Sequence, residues 1–157
     1  MSPPDLSITA PPAPGLRFEF RARLLLSPAL EFGLIEGVKK RIVPIVGGTL
    51  LGPRIRAEIL DVGGDWEFVL SDGVAFMNMP YVVRTNDQTL ISVSHAGIRR
   101  SPRPIPDEPG AFSPYYCRVM PRFDAPNGRY QWLRENFFLG VITRRDDSAD
   151  IDYFSVE

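Results

Sequence analysis

The stretch "RIRAEILDVGGDW", Arg54 to Trp66, decides how the chain is read. Arg54, Arg56 and Glu58 fall on one side of an extended chain, and Ile55, Ala57 and Ile59 on the other, because side chains alternate along a strand. A Gly63-Gly64 pair follows, a pattern that re-aims a strand through a bulge, and then an acid beside a tryptophan. Two readings stay open. Either the polar face meets water, or Glu58 or Asp65 looks into a barrel.

The same period runs outward along the chain. In "RFEFRARL", Arg17, Glu19, Arg21 and Arg23 alternate with Phe18, Phe20, Ala22 and Leu24, which predicts a strand with one buried face. "KRIVPIVGGTLLG" is a second extended segment. Ser71-Asp72-Gly73 marks a turn. "VAFMNMPYVVRT" carries Pro80, which has no N–H for the ladder and so predicts a bulge or an edge there. "RTNDQTLISVSH" reads as a hairpin, and "YYCRVMPRFD", "NFFLGVITRR" and "ADIDYFSVE" supply the last strands. Only "APNGRYQWLREN" predicts a short helix, near the C-terminal third. The expected fold is all-β: a single closed antiparallel β-barrel of about 8–10 strands, spanning 16–157 behind a flexible proline-rich segment 1–15. The sixteen residues from Arg99 to Pro114 hold five prolines; a loop of this length reads either as a semi-rigid flap over one barrel mouth or as a plain surface loop.

Bulk composition narrows the function. The 157 residues carry 18 Lys+Arg against 19 Asp+Glu, a formal net charge of −1, which argues against a nucleic-acid binder. The doublets Lys39-Lys40, Arg99-Arg100 and Arg144-Arg145 read as solvated strand ends. No apolar run has membrane-spanning length and no leader pattern opens the chain, so the expectation is a cytoplasmic protein with no membrane partner. One histidine and one cysteine cannot complete a zinc site or a facial triad, so neither a metal nor a cofactor is expected. Cys117 reads as a small core residue.

What remains is cofactor-free acid–base chemistry or plain binding. The candidates are Glu58, Asp65, Asp72, Tyr81, Arg84, Asp87, His95, Tyr116, Arg118 and Asp124. A small barrel has a dry interior, where desolvation raises the pKa of an acid toward neutrality and an arginine or tyrosine can stabilise an anion. Asp72 and Asp87 sit in turns, where aspartate bonds local backbone, and Asp124 reads as structural. Asp65, Glu58, Arg84 and Tyr81 are the expected catalytic set; Trp66, His95, Tyr116 and Arg118 are the expected substrate-binding set.

The ordered pieces "KRIVPIVGGTLLGPRIRAEIL", "GGDW", "DGVA", "YVVRTNDQTLISVSHAG", "YYCRVMPRFDAP", "YQWL" and "FFLGV" resemble the small proteins of domain of unknown function 3237, over nearly the whole chain. The resemblance implies a β-barrel. It also implies a role in natural-product or aromatic-compound pathways, such as closing an ether ring by adding a hydroxyl across an alkene. Asp65, Trp66, Tyr81, Arg84, Tyr116 and Arg118 match the family pattern. An Asp and an Arg frequent in that family are here Asn78 and Pro80, so the carry-over of a site is partial. Two functions follow as expectations. One is a cofactor-independent cyclase, isomerase or lyase acting on a small aromatic or polyketide-like molecule. The alternative is a non-catalytic binding or carrier barrel. A homodimer is expected in either case.

Overall fold

The computed structural model describes residues 7–100 and 116–157. Their strands are β1 (Leu16–Leu26), β2 (Leu30–Ile35), β3 (Val38–Leu51), β4 (Arg56–Ile59), β5 (Gly63–Val69), β6 (Ala75–Asn78), β7 (Tyr81–Thr85), β8 (Leu90–Arg100), β9 (Tyr116–Asp124), β10 (Phe138–Arg144) and β11 (Ser148–Val156). All belong to one sheet, whose neighbours run antiparallel.

The eleven segments make eight staves. β1 and β2 both lie along β3, β4 and β5 both lie along its other side, and β6 and β7 both pair with β8. Each of these three staves is one strand interrupted by an irregularity: Pro28 in the first, Asp61 before the Gly-Gly pair in the second, Pro80 in the third. The order is up-and-down, and β11 closes the ring on β1. Closure leaves no edge along β1 and β11, while β2, among the described residues, pairs only with β3. No helix among the described residues is long and apolar enough to cross a membrane.

The expected short helix is a single turn. Residues 125–137 hold only one 3-10 turn, Gln131–Leu133, because the segment spends its residues plugging one barrel end. Tyr130 and Leu133 are buried. Trp132 packs edge-on against Phe20, and Arg54 stacks 3.6 Å above its ring. Arg134 donates to Ala125 O and to Asn127 Oδ1, folding the segment back on itself. Phe20, Phe123, Phe138 and Tyr153 complete this apolar end.

The alternation in β1 also breaks. A bulge between Phe18 and Phe20 turns Glu19 inward, where it accepts from Ser155 Oγ at 2.8 Å and from Arg54. Past the bulge, Arg21 and Arg23 face outward as expected and pair bidentately with Asp152 and Asp150 across the β1–β11 seam. The Arg23 and Arg145 guanidiniums hold Asp150 at about 2. Residues 7–15 are exposed and carry no strand. The proline-rich connection lies outside the described residues from Ser101 onward, and its reading as a flap with it.

Candidate functional site

At the barrel end opposite the plug, inward positions of seven strands converge on a pocket. Its apolar wall includes Leu24, Met77, Met79 and Ile142, and its polar groups are Asp65, Glu67, Arg99 and Arg144, with Cys117 beside them. The pocket has room for about one water molecule, 10 Å3.

Gly63-Gly64 is why Asp65 points in. A Cβ on Gly63 would lie 2.6 Å from Pro80 O and 2.7 Å from Tyr81 Cβ, so only glycine lets β5 pass this close to the start of β7. Gly64 N–H then donates to Pro80 O. The period from there sends Asp65 and Glu67 inward and Trp66 and Phe68 outward.

Glu67 has no exposed side-chain surface. It accepts from Arg99 through both terminal nitrogens at 3.1 Å and from Arg41 Nε at 2.6 Å. Burial by itself would raise its pKa, but the two guanidiniums outweigh that and hold it below the ordinary glutamate value. Asp65, 3% exposed, goes the other way. Burial first, and the neighbouring Glu67 charge second, keep its carboxyl protonated well above the ordinary range. Two carboxyls this close cannot both ionise cheaply, so the pair keeps one proton and Asp65 holds it, donating to Glu67. Among the described residues, Asp65 Oδ1 and Arg99 Nε are buried without a hydrogen-bond partner. Burial pushes the Cys117 thiol up to about 12, so it is a core thiol rather than a nucleophile.

A second polar layer lies deeper. His95 sits four residues from Arg99 on the same face of β8, about 13 Å along the strand. Its Nδ1 is 2.7 Å from Met79 O, and its Nε2 is 2.6 Å from the Tyr153 hydroxyl. A carbonyl only accepts, so Nδ1 carries the proton and Nε2 accepts from Tyr153. Tyr81, 2.6 Å from Tyr153, must then donate to it. The chain runs Tyr81 → Tyr153 → His95 → Met79 O with every donor used. Burial drops the imidazole to about 4 and lifts both phenols above their usual value.

The structure thus divides the expected site. Asp65, Tyr81 and His95 face inward. Glu58 and Arg84 do not join them: they are opposite residues of β4 and β7, paired at 3.0 Å on the outer surface, with 61% of the Glu58 side chain exposed. Trp66 is 45% exposed and stacks on Phe32 outside the barrel. Tyr116 lies outside between the guanidiniums of Arg100 and Arg118. Arg99 is a correction of the solvated-doublet reading, since alternation sends Arg99 to Glu67 and Arg100 to the surface. Asp72 and Asp87 do serve their turns, accepting from Val74 N–H and from the Thr85 and Thr89 hydroxyls. The sequence reading missed Glu67, Arg41 and Tyr153. For Glu67 the signal was present, because it lies two residues from Asp65 and so shares its face.

The fold and pocket define a small up-and-down β-barrel with a buried carboxyl–arginine cluster at one mouth. The family model described as "Protein of unknown function (DUF3237)" matches residues 14–156, and the chain belongs to that family. It is 30% identical over 145 residues to a UPF0311 protein of Rhodopseudomonas palustris (strain TIE-1), covering 89% of this chain and 95% of that one. A crystal structure of a conserved protein of unknown function from Rhodopseudomonas palustris superposes with a TM-score of 0.84 at 27% identity, over 94% of this chain and 100% of the other. An enzyme from Penicillium herquei shares the fold, with a TM-score of 0.74 at 22% identity over 96% of this chain and 100% of its own.

Proposed function

We propose that the protein is a cofactor-independent acid–base enzyme of the cyclase, isomerase or lyase kind, acting on a small aromatic or polyketide-like molecule in the cytoplasm. The observation that carries this reading is the Asp65 carboxyl, kept protonated in a dry pocket by burial and by Glu67. Such a group still carries a proton above the pH at which an ordinary carboxyl has lost its own.

Glu67 holds that proton in place beforehand. Arg99 and Arg41 offset the second negative charge that appears once Asp65 has given the proton away. In a cyclisation or isomerisation, proton return from the product side restores the acid, so substrate and product are isomers; a lyase releases a fragment as well. Among the described residues, the unpartnered atoms are one acceptor, Asp65 Oδ1, and one donor, Arg99 Nε. Together they suit a hydroxyl, which donates to one and accepts from the other. With room for about one water molecule, the pocket takes a single polar group while the body of the substrate rests at the mouth. The walls of Leu24, Met77, Met79 and Ile142 favour an apolar body. The Penicillium herquei enzyme illustrates that this barrel can serve as a catalytic scaffold.

The test is a mass-spectrometric screen of phenolic and polyketide-like molecules for a product of equal mass and altered retention. Asp65→Asn should lower turnover by about 100-fold or more, and Glu58→Gln should leave it unchanged. Full activity in Asp65→Asn would sink the assignment. A ligand retained but always returned unchanged would establish a carrier instead.

A further inference from the structure

We propose that the outer face of β5, β6 and β8, with the β2 ribbon beside it, is the docking surface for a second copy of this chain about a two-fold axis. The face is built by register. Phe68 lies opposite Phe76, and Phe76 opposite Ile98. Trp66 adds to the row through β5 and stacks on Phe32 at 6.1 Å with the rings 10° from parallel. Leu30 extends it along β2 at 59% exposure, and Phe32 is 53% exposed. Taking each of these six side chains as its exposed fraction of a full side chain, they present on the order of 650 Å2 of contiguous apolar surface. A typical monomer's largest patch is about 300–600 Å2, whereas a standard interface covers about 800 Å2 per partner.

Composition and the mixed charge of the rim select a second copy as the occupant. The patch is aromatic at its centre, as interface cores are. Its rim carries both signs, with Lys40 above the Phe68 ring and the exposed Glu36 at the ribbon tip, so the surface can meet itself turned through 180°. The ribbon also needs a cover. All six residues of β2 are exposed, and among the described residues it pairs only with β3. It is thus an edge strand exposed on both faces, held by β3 alone.

The docking bears on the pocket, because Trp66 and Phe68 alternate with Asp65 and Glu67 on the same strand. A partner pressed on the outer face stiffens the wall that positions both carboxyls.

Sedimentation velocity from micromolar to near-millimolar protein tests this. The wild-type chain should be a dimer. Phe32→Glu, on the ribbon outside the barrel wall, and Phe76→Glu should each weaken self-association by at least about 100-fold, by placing an unpaired charge in the contact. Circular dichroism would establish that each variant is folded. Phe137→Glu, exposed near the plugged end, should leave the dimer intact. A wild-type monomer at every concentration overturns the proposal. So does a dimer indifferent to both substitutions, or a closed trimer.

Discussion

Replacing Asp65 by asparagine separates a neutral buried acid from a buried charge, and the difference is readable without any substrate. If Asp65 is protonated in the fold, the asparagine side chain is close to an isostere, since its amide N–H can make the donation to Glu67 that the acid O–H made. The direct cost is then about 1 kcal/mol, one exchanged hydrogen bond. The pH dependence carries the signal. In the unfolded chain the carboxyl ionises near its ordinary value of 3.8, while in the fold it stays protonated well above that. Between those two points the native state binds one more proton than the unfolded state. Stability contributed by Asp65 is therefore fully present below the ordinary value and is lost as the pH rises toward the folded one, at about 1.4 kcal/mol per pH unit. As the pH rises above 5 the wild type should lose stability relative to Asp65→Asn for as long as the folded carboxyl keeps its proton. Urea denaturation of both proteins at pH 5, 6 and 7 measures this. The other titrating groups are common to the two chains and largely cancel in the difference. A stability difference constant to within about 0.5 kcal/mol over that range would show that Asp65 is ionised in the fold, and the acid–base reading would fail with it.

His95 has the opposite sign. Its folded value is about 4 against an ordinary 6.5, so its contribution is present above 6.5 and is lost as pH falls toward 4, about 3 kcal/mol in all. Because this is the chain's one imidazole, its NMR signals should stay those of the neutral ring with Nδ1–H down to below pH 5; protonation near 6.5 would contradict the geometry. Asp65 and His95 therefore offset each other between about pH 4 and 6.5, and the Asp65→Asn variant should show a steeper acid limb than the wild type. Tyr153→Phe removes the hydroxyl that both accepts from Tyr81 and donates to His95, leaving two buried partners unpaired at a cost of about 2–4 kcal/mol, whereas Tyr81→Phe, at the end of the chain, should cost about 1 kcal/mol. Equal losses in thermal unfolding would contradict the place of Tyr153 between two partners.

Much of the wall was legible from the period-two pattern, because a strand's sequence states which side chains share a face. The β5 segment shows it: "GGDWEF" already separates Asp65 and Glu67 from Trp66 and Phe68. The pattern does not say which face is inside. Glu58 and Arg84 were expected in the pocket, but Ile59 and Val83 are the buried members of their strands, so the charges meet water. Nor does it show where the period skips. Glu19 is inward only because of the bulge after Phe18, and nothing local in "RFEFRARL" marks that bulge. Arg99 is harder still. A surface doublet and a half-buried doublet have the same letters, and burial of Arg99 depends on a carboxylate 32 residues away.

That dependence separates the two polar layers in kind. The Tyr81–Tyr153–His95 chain ends on a backbone carbonyl with every donor used, so it holds the barrel together and has no proton to offer. The Asp65–Glu67–Arg99 cluster is built differently. Taking such charges out of water costs several kcal/mol per ion, and well-packed apolar side chains would often fill the same space with equal or better stability. That cost is also incompletely offset, since Asp65 Oδ1 and Arg99 Nε lack partners among the described residues. A network that is costly and unsaturated beside a pocket is poorly explained by stability and well explained by work on a ligand. The same physics sets the state of Asp65: the desolvation and the Glu67 charge that make its ionisation unfavourable keep a proton on it above the ordinary carboxyl range.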